Sequence, residues 1–417
     1  MADQNKNCKT VITVEEAKTN QELLSFIEKS PTAFHAVEQL KEMLINAGYE
    51  YLPENRRWNV KEGGTYFTTR NDSSIIAFRI PEKISGDTGF QIAASHSDSP
   101  TFKIKENPEM LVDGHYTKLN VEKYGGMICA PWFDRPLSIA GRVICETETG
   151  IQTKIVDFEE DLVMIPNVAI HMNRNVNDGY AYNVQTDLLP LFGDETAKGT
   201  FFERAAGLAG TEAAKLVGSD LFLYNRQKGS VWGASKEFVS APRLDDLQCA
   251  FGTMRGLIEA PKGANIALCA VFDNEEVGSA TKQGAESTFF ENVLRRIMRV
   301  LGKDEEDYEI AIQNSFMVSA DNAHAVHPNH PEMADPTNRP YLNKGIVIKF
   351  NANQKYTTDG ISEAIFRKIC DKAEVPYQYF TNRSDMAGGS TLGNIANTKV
   401  SLNTVDIGLP QLAMHSP

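Results

Sequence analysis

The chain has no run of the ~20 apolar residues that a membrane span requires. Its opening Met1-Ala2-Asp3-Gln4-Asn5-Lys6-Asn7-Cys8 holds no apolar stretch that could act as a signal peptide. Its six cysteines, at 8, 129, 145, 249, 269 and 370, are scattered without a Cys-x-x-Cys pair. That spacing argues for free thiols in a reducing compartment and against a disulfide frame or a thiolate metal site. Positive charge is in deficit: 42 Lys and Arg stand against 55 Asp and Glu, leaving −13 at neutral pH. Such a balance excludes a nucleic-acid-binding surface. Repeats and biased segments are missing as well. These absences describe a cytoplasmic protein with no membrane or nucleic-acid partner. The acidic field would also repel an acidic small substrate, so any attraction would have to come from cations inside a site.

What is present is an ordinary globular composition, 41% hydrophobic and 23% charged, over 417 residues. That length suggests two domains. Near the start, Asn20 can cap a helix over Gln21 to Lys29, and Ser30-Pro31-Thr32 opens a second helix that ends at Ala47-Gly48. Strand-like runs follow at Ser74 to Ile80 and Phe90 to Ser95. From about Thr101 to Ser240 short β-like runs alternate with turns, such as Lys118 to Tyr124, Leu137 to Ile144 and Ile151 to Val156. Beyond Ala241, helices (Leu247 to Ala260, Phe289 to Leu301, Ser362 to Ala373) alternate with strands (Asn265 to Phe272, Phe316 to Ala320, Ile346 to Ile348, Val400 to Ile407). Alternation of this kind implies an α/β sheet covered on both faces. The expected organisation is a discontinuous catalytic domain, 1–100 plus 241–417, interrupted by a β-rich domain over 101–240.

Candidate metal ligands fall on both sides of that interruption. His96 ends a strand, and Asp98 two residues on suits the partner that orients a ligating imidazole. Asp245 precedes a helix, where an aspartate usually caps, but its place between other candidates suits a bridge between two ions. Glu275-Glu276 follow the buried run Ile266 to Phe272; one can hold a metal while the other serves as general base toward water. Asp321 follows another apolar strand, and His415 lies just after the last one. Two imidazoles and three carboxylates can hold a pair of divalent cations, with one further carboxylate left for protons. His324, His327 and His330 recur every third residue, but Pro328 and Pro331 argue against a separate three-histidine site. Gly388-Gly389-Ser390-Thr391 lacks the lysine and spacing of a phosphate loop and reads as a turn lining the cleft. Lys349 is a cation inside the apolar strand Gly345 to Phe350, either reaching out to solvent or held for a ligand.

Taken together, Ser95-His96-Ser97-Asp98-Ser99-Pro100, Trp132-Phe133-Asp134-Arg135, Ala169-Ile170-His171, Pro242-Arg243-Leu244-Asp245, Glu275-Glu276-Val277-Gly278-Ser279, Ser319-Ala320-Asp321 and the stretch from Pro410 to Ser416 resemble metallopeptidase family 18, the aspartyl aminopeptidases. The resemblance implies a mixed-sheet α/β/α peptidase domain with an inserted β-rich dimerisation domain. It implies one ion on His96, Asp245 and Asp321 and another on Asp245, Glu276 and His415, with Glu275 as base and Asp98 behind His96. Zinc is the first choice, and manganese or cobalt suit the same donors. The substrates would be peptides with a free N-terminus, Asp or Glu first, with Lys349 on the acidic side chain and His324 or His171 near the scissile carbonyl. Family members assemble from dimers into tetrahedral dodecamers, in which His171 would reach a neighbour's site. Two features depart from the pattern: Asp246 stands where Asn is usual, and the chain stops two residues after His415, where relatives continue. Other readings of the same residues are a less selective aminopeptidase, a two-metal deacylase or carboxypeptidase, and a non-catalytic assembly protein.

Overall fold

A computed structural model describes residues 12–417, so the reading of Met1 to Cys8 lies outside the described residues. Nine strands form one mixed sheet. Their order is Glu50–Tyr51, Thr65–Arg70, Ser74–Arg79, Ile266–Phe272, Phe90–His96, Phe316–Ala320, Asn403–Gly408, Ile346–Lys349 and Tyr377–Phe380. The four central strands, from Ile266–Phe272 to Asn403–Gly408, run parallel. Ile266–Phe272 and Phe316–Ala320 are nearly unbroken apolar runs, as strands covered on both faces require. On Ser74–Arg79, Ile75 and Ala77 join the cluster under the helices Val14–Glu28, Ala33–Asn46 and Leu244–Glu259. The alternate residues Ile76 and Phe78 join the opposite cluster, under Phe289–Val300 and Glu305–Gln313. The layer order is therefore helix, sheet, helix.

Between Thr101 and Ser240 the chain builds a separate six-stranded sheet, antiparallel throughout, plus a short ribbon of Ser230–Trp232 with Phe238–Ser240. It has its own apolar core, centred on Phe102, Leu119, Ile139, Phe201 and Leu221. No helix among the described residues is long and apolar enough to cross a membrane. Cys129, Cys145, Cys249, Cys269 and Cys370 are free thiols.

Two boundaries differ from expectation. The first helix starts at Val14 rather than Gln21, because Thr13 and Glu16 form a reciprocal capping box upstream of Asn20. The second starts at Ala33 with Thr32 at its N-cap, so Pro31 lies just outside it. In Leu244–Glu259, Asp245 and Asp246 have non-helical backbone angles, and the regular helix begins at about Leu247, as the apolar spacing indicates.

Candidate metal centre

Because the central strands are parallel, their C-terminal ends meet at one edge of the sheet. His96 is the last residue of its strand and lies level with Phe272. Asp273 to Glu276 follow Phe272 directly. Asn274 in the left-handed region (φ 63°) turns the chain there, so that Glu275 to Val277 make one short helical turn over the edge. Asp321 follows Ala320, and His415 hangs on the loop after Gly408. Asp245 arrives from the helix that lies on Phe90–His96. The start of that helix is pinned by Arg243, whose guanidinium donates to the carbonyls of Ser30 and Ile27.

Each oxygen of Asp245 faces a different imidazole. Oδ1 is 3.4 Å from His96 Nε2, and Oδ2 is 3.2 Å from His415 Nε2. His415 Nε2 also lies 3.3 Å from Glu276 Oε2. One ligand atom each from His96, Asp245, Asp246 and Asp321 lie within 4.8 Å of one another. The same holds for Asp245, Glu276 and His415, and for His96, Glu275 and Glu276. Asp98 stands behind this group with Oδ1 3.3 Å from His96 Nδ1. Its two oxygens accept the main-chain N–H groups of Glu275 and Glu276, each at 3.1 Å. One carboxylate thus positions both an imidazole and the glutamate turn.

The site is crowded with buried carboxyl groups. His96, Asp98, Asp245, Asp246 and Asp321 are all buried. Burial pushes the carboxyls of Glu276 and Asp321 up to about 7 and about 6. Glu275 is raised well above its usual range, first by burial and then by the charges of Asp321, Glu276 and Asp98, against the pull of His96. Burial disfavours a charged His415, but Asp245 and Glu276 outweigh it and hold its pKa at about 10. Asp245 Oδ1, Asp246 Oδ1 and Glu276 Oε1 are buried without a hydrogen-bond donor. Buried carboxylate oxygens left this way are costly unless a cation meets them. Imidazole and carboxylate donors at this spacing fit zinc or a similar divalent ion.

The other candidates are placed less uniformly. Lys349 does not reach solvent: it is 2% exposed, and its ammonium donates to the carbonyls of Asp321 at 2.9 Å and Asn322 at 3.4 Å. Burial opposes its charge, yet Asp321 keeps its pKa at about 12. His324 is exposed, with its ring edge-on to Phe380. His327 and His330 are exposed and stand apart from the metal-holding groups found among the described residues. His171 sits on an exposed loop of the 101–240 segment. The Gly388 to Thr391 loop closes on Lys355, which donates to the Gly388 carbonyl, and on Asp406, which accepts from Thr391.

Sequence reasoning missed what the inserted segment contributes. Tyr124, at the end of Tyr116–Tyr124, donates its hydroxyl to Asp98 Oδ2 at 2.7 Å and accepts from Asn274 Nδ2 at 2.8 Å. Gly125 (φ 74°) passes so close to Glu276 that an added Cβ would sit 3.1 Å from the Glu276 Cβ. Ile128 N–H donates to the His415 carbonyl at 3.2 Å. The only signal in the sequence was Tyr124-Gly125-Gly126, a polar aromatic and two glycines closing an alternating strand.

A parallel α/β layer that gathers two imidazoles and several carboxylates at its strand ends has the framework of a metallohydrolase. Residues 26–417 match the family described as "Aminopeptidase I zinc metalloprotease (M18)". A probable M18 family aminopeptidase 2 of Clostridium novyi is 48% identical over 407 residues, 96% of this chain and 94% of the relative. The chain in the cryo-EM structure of the Ape4 and Nbr1 complex is 37% identical with a TM-score of 0.92, over 97% of this chain and 83% of that one. The S. cerevisiae mApe1 dodecamer gives 28% identity and a TM-score of 0.84, over 96% of this chain and 92% of that one. The chain belongs to the M18 family and is an aminopeptidase of the zinc metalloprotease type.

Proposed function

We propose that the protein removes N-terminal residues, Asp or Glu first, from peptides with a free amine, using two divalent ions. The observation that carries this reading is the Asp245 carboxylate, with one oxygen toward His96 and the other toward His415. His96, Asp245 and Asp321 would hold one ion, and Asp245, Glu276 and His415 the other. When bound, such a pair supplies Lewis acidity and lets water act as a nucleophile at neutral pH. Glu275 takes the proton from the attacking water and returns it to the leaving amine. Asp98 keeps His96 oriented and holds the turn that presents Glu275. His324, three residues after Asp321 and exposed, would donate toward the developing oxyanion.

Lys349 would give the preference for acidic residues, as a buried cation whose ammonium lies 3.9 Å from Asp321 Oδ2 beside the candidate ion cage. A second reading is favoured by its hydrogen bonds to the Asp321 and Asn322 carbonyls: Lys349 then sets the Asp321 loop and leaves the N-terminal residue less restricted. On the 101–240 segment, Met164, Val168, Ile170 and Met172 are exposed apolar residues around His171. They support a dimerisation role for this segment, His171 reaching a neighbouring copy, and a dodecamer like that of the mApe1 relative. The cytoplasm, with its reducing conditions, suits the free thiols.

The test is hydrolysis of free-amine Asp-, Glu-, Leu- and Lys-chromogenic substrates by zinc-loaded protein. Acidic substrates should be cleaved fastest, and Glu275→Gln should lower kcat by about 10²–10⁴-fold with metal content unchanged. Equal cleavage of Leu would leave the mechanism and discard the acidic preference. Undiminished activity in Glu275→Gln would remove the assigned base.

A further inference from the structure

We infer that Asp246 is a fourth protein ligand for the ion on His96, Asp245 and Asp321, so that this cage is closed while the Asp245–Glu276–His415 cage stays open. The inference rests on the two-ion reading above and adds an asymmetry to it. Asp246 is 0% exposed, and Oδ1 has no donor. Oδ2 accepts the His96 main-chain N–H at 3.0 Å and lies 4.0 Å from His96 Nε2. A single N–H does not offset the burial of a full carboxylate charge; a cation does. The mutual 4.8 Å spacing of one ligand atom from each of His96, Asp245, Asp246 and Asp321 puts Asp246 in the same small volume as the other three.

The second cage is built differently. It brings together three side chains, not four. Its His415 side chain is 30% exposed, whereas those of His96, Asp245, Asp246 and Asp321 are 1%, 7%, 0% and 11% exposed. Four protein donors close a zinc site, and three leave a position for water or substrate. The His96 ion is therefore the tightly held one, with three carboxylates around it. The His415 ion is the exchangeable one, and its open position faces the solvent from which a peptide's free amine arrives.

An Asp246→Asn variant separates a ligand from a hydrogen-bond acceptor, because its amide oxygen can still accept the His96 N–H. The measurement is Co²⁺ titration of metal-free protein, followed by visible absorption and by metal analysis after gel filtration. Wild type should bind two ions in distinct tight and weak steps; His415→Ala should retain only the tight step. In that background Asp246→Asn should weaken Co²⁺ by at least about tenfold and change the intensity of its visible bands, which report coordination number. An unchanged spectrum, even with some loss of affinity, would overturn the inference and leave Asp246 as an acceptor for His96. A wild type that binds one ion would instead sink the two-ion reading. Thermal melting of the metal-free proteins shows whether each variant is folded.

Discussion

The nine-stranded sheet and the six-stranded sheet of the inserted segment each bury an apolar core, yet only the first buries charge. Arg79, His96, Asp98, Asp245, Asp246, Asp273, Asp321, Lys349 and Asp406 are buried, and all lie outside 101–240. Inside that range the buried polar side chains are the uncharged Thr117, Ser138 and Asn225. Topology accounts for the difference. Parallel strands end on the same side, so the loops after Phe272, His96, Ala320 and Gly408 converge and can share ions. Antiparallel neighbours end on opposite sides, and no edge of the six-stranded sheet gathers successive strand ends. The inserted sheet meets the site at its margin, through Tyr124, Gly125 and Ile128.

If the inserted sheet is an ordinary apolar core, damage there should cost stability without touching proton chemistry. Phe102 is 0% exposed and packs edge-on against Trp132 at 5.0 Å. Phe102→Ala should destabilise by about 3–5 kcal/mol. The loss should be the same at pH 5 and pH 7.5, since no carboxyl or imidazole lies in that core. Chemical denaturation at the two pH values checks this. A loss that varies by more than about 1 kcal/mol between them would show that charge is coupled to this core after all.

The margin is the place where the two regions should stop being separable. Tyr124→Phe removes one hydrogen bond to a charged acceptor, while Asp98 keeps the N–H groups of Glu275 and Glu276. A fall in kcat/KM of about tenfold is expected, equivalent to about 1.4 kcal/mol, with little change in melting temperature. Full activity in Tyr124→Phe would mean that the inserted sheet merely touches the site and does not help to position it.

What could be read in advance follows the same division. Ile266 to Phe272 is too apolar to be anything but a buried segment, so the glutamates emerging from it had to be solvated or bound, and the turn was legible. The same logic exposed Asp321 after Phe316 to Ala320. Asp246 was legible only as an aspartate where Asn is usual; that its carboxylate accepts the His96 main-chain N–H had to come from the fold. Tyr124 was hidden because its partner lies 26 residues away, in the loop after a strand of the other sheet. Lys349 could be seen as a misplaced cation, but the main-chain carbonyls that receive it carry no side-chain signature. The first helix extends upstream of its apolar face because Val14 to Lys18 is largely polar, and only the two-residue Thr13 and Glu16 capping box marks its start.

An effect of comparable size is expected at a histidine in the α/β region, away from the candidate metal centre. His35 lies in the first turn of Ala33–Asn46, with Nδ1 2.9 Å from Thr32 Oγ1. Burial, helped by the nearby Arg243, pushes its pKa down to about 4. The folded protein therefore keeps His35 neutral where the unfolded chain would already be protonated. The stability this group contributes is fully present above about pH 6.5 and is lost progressively as pH falls toward 4. Buried carboxyls with raised pKa respond in the opposite sense, so the test must be a difference between variants. The stability gap between wild type and His35→Gln should change by about 1–2 kcal/mol in favour of the variant from pH 7.5 to pH 5. A constant gap would show that His35 titrates alike in both states. The Phe102→Ala gap, measured in parallel, should stay flat, and that contrast would locate the acid sensitivity in the α/β region.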